Sequence, residues 1–171
     1  MMKQFNKRAY HSMGDLWRDL RFPLQNREQV RHAMRGDLVS FSFRERLMLA
    51  VTAVNGCRYC SYYHAQEALK AGLPEDELQK LLQGLIDDAP SDELPALLYA
   101  QHWAEAEGRP IPAVRQKLID TYGPERAEAI ETVLSMIRMG NLLGNTADYW
   151  LYRLSFGRWG QPEKDRVKIQ R

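Results

Sequence analysis

The sequence predicts an all-α protein: one domain built as a bundle of roughly seven to eight helices. Three observations predict it. Apolar residues recur at three- and four-residue spacing through most of the chain, helix-ending Gly and helix-starting Pro or Ser residues punctuate that pattern, and no useful length of alternating apolar and polar residues marks a strand. With 171 residues, the chain is large enough for one core and short for two. Residues 1–157 are assigned to that single domain. Residues 158–171 read as a basic tail, in which Arg158, Lys164, Arg166, Lys168 and Arg171 outweigh Glu163 and Asp165.

Taken in order, Leu16, Trp17 and Leu20, then Val30, Ala33 and Met34, mark one or two short N-terminal helices. Ser42-Phe43-Arg44-Glu45 reads as a capping box, in which a serine and a glutamate three residues later satisfy each other's backbone N–H groups. A helix from Phe43 to Val54 follows, ended by Asn55-Gly56, both tolerant of left-handed backbone. The next helix begins near Cys57 and runs to Ala71, with Gly72 as its stop. Pro74 suits a first helical turn, where Glu75, Asp76 and Glu77 meet the positive end of the dipole, and Leu78, Leu81, Leu82 and Leu85 carry that helix to Asp87.

Ser91-Asp92-Glu93 opens a helix through Leu97, Leu98, Ala100 and Trp103, closing at Gly108. Val114, Leu118 and Ile119 mark a short helix that stops at Tyr122-Gly123. Pro124 starts the longest helix, through Ile130, Val133, Leu134 and Ile137. Gly140, Gly144 and Asn145 are expected to kink or divide it before Trp150, Leu151 and Leu154 resume the apolar face.

Charge narrows the function classes. The 24 basic and 22 acidic residues are interspersed and leave a net charge of +2, so no one-signed surface for nucleic acid is expected. No apolar run reaches the roughly 18 residues a membrane span requires, and the N-terminus lacks the apolar stretch of a secretory signal. A soluble, cytoplasmic protein is expected. There are 2 cysteines, three positions apart, where a secreted disulfide framework would use more and close longer loops. That count points to a reducing compartment and to a redox or metal role.

The chemistry concentrates around Cys57-Arg58-Tyr59-Cys60-Ser61-Tyr62-Tyr63-His64. Cys57 falls at a helix N-terminus, where unpaired backbone N–H groups stabilise a thiolate. His64 lies one turn beyond Cys60 on the same face and is placed to take its thiol proton. Glu45, on the preceding helix, folds back towards this face when the two helices pack antiparallel. His11, His32 and His102 lack partners at useful spacing.

Glu45, eleven intervening residues, Cys57-x-x-Cys60, three more and His64, then Gly72 and an acidic turn, resemble the carboxymuconolactone decarboxylase / alkylhydroperoxidase AhpD-like family, over a core of about 43–85. The resemblance implies an oxidoreductase of antioxidant type, a thiol-dependent (alkyl)hydroperoxidase or disulfide reductase, on a helical bundle that assembles as a homo-oligomer, a trimer or hexamer. By position, Cys60 corresponds to the peroxidatic thiol, Cys57 to the resolving and exposed thiol, His64 to the base and Glu45 to its proton-relay partner. No cofactor is implied beyond the redox-active disulfide, which an external dithiol reductant protein would reduce. The decarboxylase branch lacks the cysteine pair as a working centre.

One departure stands out: the peroxidases carry a histidine between the cysteines where this chain has Tyr59, and a phenol is a poor proton shuttle at neutral pH. Tyr59 and Tyr63 are the candidate relay or pocket residues. Three other readings of the same residues stay open: a non-catalytic redox sensor or helical interaction module, a zinc or iron site made by Cys57, Cys60, His64 and Glu45, and a pair of buried structural thiols.

Overall fold

A computed structural model describes Phe5 and residues 7–160, and among these there are eight helices and no strand. They are α1 (Met13–Gln25), α2 (Arg27–Met34), α3 (Phe41–Asn55), α4 (Arg58–Lys70), α5 (Glu75–Leu81), α6 (Leu94–Glu105), α7 (Pro112–Tyr122) and α8 (Pro124–Leu154). Of the basic tail only 158–160 are described, and the remainder of that expectation lies outside the described residues.

At the centre is α3, which packs against α4, α6 and α8. It is apolar on nearly every side, the pattern of a helix enclosed by others rather than one with a solvated face. Phe43, Leu47, Ala50 and Val51 are wholly buried, as are Leu97 on α6 and Ile130, Val133 and Leu134 on α8. Each large side chain of this kind stabilises the fold by about 1.5–3 kcal/mol through the water it leaves. Around this core, α2 and α7 lie on α8, while α5 rests on α3 and α4.

Local chemistry sets most helix ends, with four shifts from expectation. The cap of α3 is Ser40, whose hydroxyl accepts from the Phe43 N–H at 3.2 Å. Ser42 lies inside the helix, so Ser42–Glu45 is not a capping box, and the Glu45 carboxylate is engaged elsewhere. Pro74 is the N-cap of α5 rather than a first-turn residue, and α5 ends at Leu81, short of Asp87. The N-cap of α6 is Glu93, because Ser91 and Asp92 belong to the preceding turn. Finally, α8 is one continuous helix of 31 residues, with no break at Gly140, Gly144 or Asn145. The Asn55-Gly56 stop is as expected: Gly56 takes φ 73°, and its N–H closes on the Thr52 carbonyl at 2.8 Å.

Two long-range ties lock the bundle. Arg46 on α3 makes a bidentate ion pair with Glu77 on α5 and donates from Nη1 to Glu93 Oε2 at 3.1 Å, all three side chains being buried. An N-terminal segment crosses the far half of α8: Phe5 packs against Tyr149 and Tyr152, Lys7 Nζ meets Asp148 Oδ2 at 2.8 Å, and the Tyr10 N–H donates to Thr146 Oγ1 at 3.0 Å. Among the described residues, no helix is long and apolar enough to cross a membrane.

Candidate active site

Cys57 follows the left-handed turn at Gly56 and is itself the N-cap of α4; its sulfur accepts from the Cys60 backbone N–H at 3.4 Å. The i, i+3 spacing then brings the sulfurs together. Cys57 Sγ and Cys60 Sγ lie 3.0 Å apart as free thiols. Closing them into a disulfide of about 2.05 Å requires a shift of about 1 Å, within the freedom of two side-chain torsions. Cys57 is wholly buried whereas Cys60 is half-buried, which reverses the expectation that Cys57 is the exposed thiol. The reason is tertiary: α8 covers the first turn of α4.

The two thiols share their protons unequally. The Cys57 thiol is pulled down to about 7 by the hydrogen bond it accepts from the Cys60 thiol, with burial opposing, and then by the backbone N–H groups of Cys60 and Tyr59 and the charge of Lys7. Cys60 is pushed far above the usual thiol range by its hydrogen bond to Cys57, by burial and by the Cys57 charge, with the Asn141 side chain pulling the other way. Near neutral pH the pair therefore loses one proton. The remaining proton is shared between two sulfurs 3.0 Å apart, so the titration belongs to the pair.

On the outer side of α4, His64 Nδ1 is 2.7 Å from Glu45 Oε2. The carboxylate is held from its other oxygen as well: Arg44 Nε and Nη2 each donate to Glu45 Oε1 at 3.1 Å, while Arg44 Nη1 donates to the Met34 carbonyl. Glu45 is buried, so this clamp compensates the cost of burying its charge. Arg44 went unrecognised in the sequence, where an arginine before a glutamate reads as ordinary surface charge. Tyr63 stands edge-on to the His64 ring, 5.1 Å between centroids, and is otherwise exposed. It walls the imidazole without a hydrogen bond to it among those described.

Tyr59 is not part of this relay. Its hydroxyl lies 3.0 Å from Asp148 Oδ1 and accepts from Arg58 Nη2 at 2.8 Å, with the Arg58 guanidinium over its ring. Asp148 on α8 is wholly buried and also binds Lys7 and Arg58. The phenol thus pins α4 to α8 instead of passing protons at the thiols.

The face of α8 against the cysteines was missed as a functional element. Gly140, Asn141, Gly144, Asn145 and Asp148 recur at helical spacing, and Asn141, Asn145 and Asp148 are wholly buried. A Cβ at Gly144 would lie 2.8 Å from Cys57 Sγ and 3.3 Å from Tyr59 Cδ2, whereas one at Gly140 would lie 3.9 Å from Cys60 Sγ. Gly144 therefore admits the Cys57 sulfur, whereas a side chain at Gly140 would make only ordinary contact with Cys60, and neither glycine breaks the helix. Gly140→Ala is expected to be neutral or to stabilise by up to about 1 kcal/mol, the ordinary helix-propensity gain. Gly144→Ala is expected to cost a net 1–2 kcal/mol, roughly, because overpacking outweighs that gain. Thermal melts of the two variants check the opposite signs.

Among the described residues, no three His, Cys, Asp or Glu side chains converge as a metal cage requires. A surface cleft of about 470 Å³ is lined by Phe22, Trp103, Met136 and Arg138 among others, and by none of Cys57, Cys60, His64 and Glu45. In comparisons with known proteins, residues 24–106 match the family model described as the carboxymuconolactone decarboxylase family. Neither the curated proteins nor the solved structures contain a significant match.

Proposed function

We propose, from the match of residues 24–106 to the carboxymuconolactone decarboxylase family model, that the chain is an AhpD-like thiol oxidoreductase that reduces hydroperoxides or disulfides through the Cys57–Cys60 pair. The observation that carries this reading is the pair itself: two sulfurs 3.0 Å apart at a helix N-terminus, with a His64–Glu45 contact of 2.7 Å one turn beyond Cys60 along the same helix.

The reaction starts from the one-proton state. Transfer of the shared proton from Cys60 to Cys57 leaves a thiolate on the half-buried sulfur, the one a substrate can reach. The Cys60 thiolate attacks the outer oxygen of a hydroperoxide, the O–O bond breaks, and Cys60 becomes a sulfenic acid while the alkoxide leaves. His64, held by Glu45, supplies the proton that turns the alkoxide into an alcohol. The Cys57 sulfur then attacks the sulfenic acid, losing its proton to the departing hydroxide, which leaves as water, and forms the disulfide. An external dithiol reduces that disulfide by exchange and restores both thiols.

A disulfide substrate would follow the same course, with a mixed disulfide on Cys60 resolved by Cys57. A homo-oligomer fits this reading, supported by the exposed aromatic residues Tyr62 and Tyr63 beside the site and Trp150 and Phe156 on and after α8.

The test is a pH profile of the reduced protein. Alkylation at Cys60 should rise through a midpoint near pH 7, because the accessible sulfur reports the single ionisation of the pair. Stoichiometric hydroperoxide should then remove both alkylatable thiols, and a dithiol should restore them over repeated cycles. Thiols that titrate near the free value of about 8.5 and survive excess hydroperoxide and small disulfides would overturn the proposal.

A further inference from the structure

Around Cys57 lie the N-terminal segment, the Asn55-Gly56 turn and the first turn of α4, and all three are fastened to one stretch of α8. Gly144 lets the sulfur approach that helix, since a Cβ there would lie 2.8 Å from Cys57 Sγ and 3.3 Å from Tyr59 Cδ2. One turn further along the same face stands Asp148, wholly buried. Its Oδ1 accepts from Arg58 Nη2 at 2.8 Å and from the Tyr59 hydroxyl at 3.0 Å, which binds the first turn of α4. Its Oδ2 accepts from Lys7 Nζ at 2.8 Å, which binds the N-terminal segment where it passes Gly56. Between these ties, Asn145 Nδ2 donates to the carbonyls of Arg8 and Asn55 at 2.9 and 2.8 Å. Cys57 is wholly buried, whereas Cys60, one turn along α4, is half-buried.

We propose that Asp148 is a positioning residue: through Lys7, Arg58 and Tyr59 it holds Cys57 shut against α8 and so confines exchange with external thiols and disulfides to Cys60. This role rests on the proposed thiol chemistry and gives it a direction. A thiolate of the external dithiol attacks the Cys60 sulfur of the oxidised pair. The Cys57–Cys60 bond breaks, its electron pair goes to Cys57, and a mixed disulfide is left on Cys60. The second thiol of the dithiol then attacks the reductant's own sulfur in that bond, releasing the Cys60 thiolate and leaving the reductant as a disulfide. Cys57 thereby remains an internal partner throughout. A carboxylate suits the task because it gathers two cations and a hydroxyl from two chain segments at a buried position, where leaving a charge unpaired is costly.

The experiment uses Cys60→Ser as its background, which leaves Cys57 the sole cysteine of the full-length chain, and follows alkylation by iodoacetamide from pH 6 to pH 11. Access sets the plateau rate reached when the thiol is fully ionised, whereas a change of local charge moves the midpoint, so the profile separates the two. Adding Asp148→Asn should raise the plateau about tenfold or more, the scale on which a broken buried ion pair loosens local structure. Tyr59→Phe, which removes one hydroxyl and keeps both ion pairs, should raise it roughly threefold and decides the matter if Asp148→Asn fails to fold. Arg46→Leu, whose partners are Glu77 and Glu93, should lower the melting temperature yet leave the plateau within about twofold of the background. In the oxidised two-cysteine chain, a 2-mercaptoethanol adduct trapped by acid should map to Cys60. Plateaus unchanged in Asp148→Asn and Tyr59→Phe, an equal rise in Arg46→Leu, or an adduct mainly on Cys57 would refute the role of Asp148. The alkylation needs no substrate, so inactivity of the wild type towards hydroperoxides and disulfides would sink the proposed function alone, while the plateau rates decide whether Asp148 encloses Cys57.

Discussion

Cys60→Ser is expected to abolish turnover with hydroperoxide and dithiol, a loss of roughly a thousandfold or more on the scale set by removing a nucleophile, whereas Cys57→Ser is expected to react once and stop. The asymmetry follows from access. Cys60 is the half-buried sulfur and Cys57 is enclosed by α8, so only Cys60 can meet an external oxygen. Without Cys57 the first step still consumes one equivalent of hydroperoxide, but the sulfenic acid has no neighbouring sulfur to trap it, and cycling ends. That first step should also move to higher pH, because the thiol that takes up the Cys60 proton is gone. Stopped-flow consumption of hydroperoxide, with a dimedone label for the sulfenic acid, separates the two variants. A burst of one equivalent from Cys60→Ser and none from Cys57→Ser would exchange the assigned roles.

The second large effect concerns stability. Arg46→Leu should lower stability by about 3–5 kcal/mol at neutral pH, the cost of leaving buried carboxylates without their cation. For a chain of this length that is a fall in melting temperature of about 6–20 °C. Burial pushes the Glu93 carboxyl up even with Arg46 beside it, and in the variant Glu77 and Glu93 face one another with that opposing charge removed. The sign of the pH dependence follows. A carboxyl raised in the folded state is fully tolerated below its unfolded pKa and penalises the fold as pH rises through and above that value. The deficit of Arg46→Leu should therefore shrink between pH 7 and pH 5, and Glu77→Gln with Glu93→Gln in the same background should recover much of it at pH 7. Melting curves at both pH values measure this.

Arg46 also illustrates what was hidden in the sequence. Glu77 and Glu93 lie 31 and 47 positions away, and nothing local distinguishes them from the other acids of that region. Arg44 is similar, a clamp on Glu45 recognisable only once α2 supplies the Met34 carbonyl and α4 supplies His64. Tyr59 was legible as a substitution at an important position, but its direction was not, because Asp148 lies 89 positions downstream. Gly140 and Gly144 were visible as glycines in a helix, and their helical propensity cost was taken for a break. In the folded protein the missing side chain at Gly144 makes room for Cys57, while Gly140 is not crowded by Cys60.

By itself the sequence determined what depends on neighbours a few positions apart. The helices and most of their stops, the meeting of two thiols at i and i+3 on a helix N-terminus, and the placing of His64 one turn beyond Cys60 follow from backbone hydrogen bonding and helical pitch, which act within about four residues. Tertiary structure decided what depends on the far side of the contact. Packing of α8 over α4 determines which thiol is enclosed, and that Tyr59 serves Asp148. The physical reason is that burial and close approach belong to pairs of surfaces, and a residue lying against another carries no mark of it until both are in place.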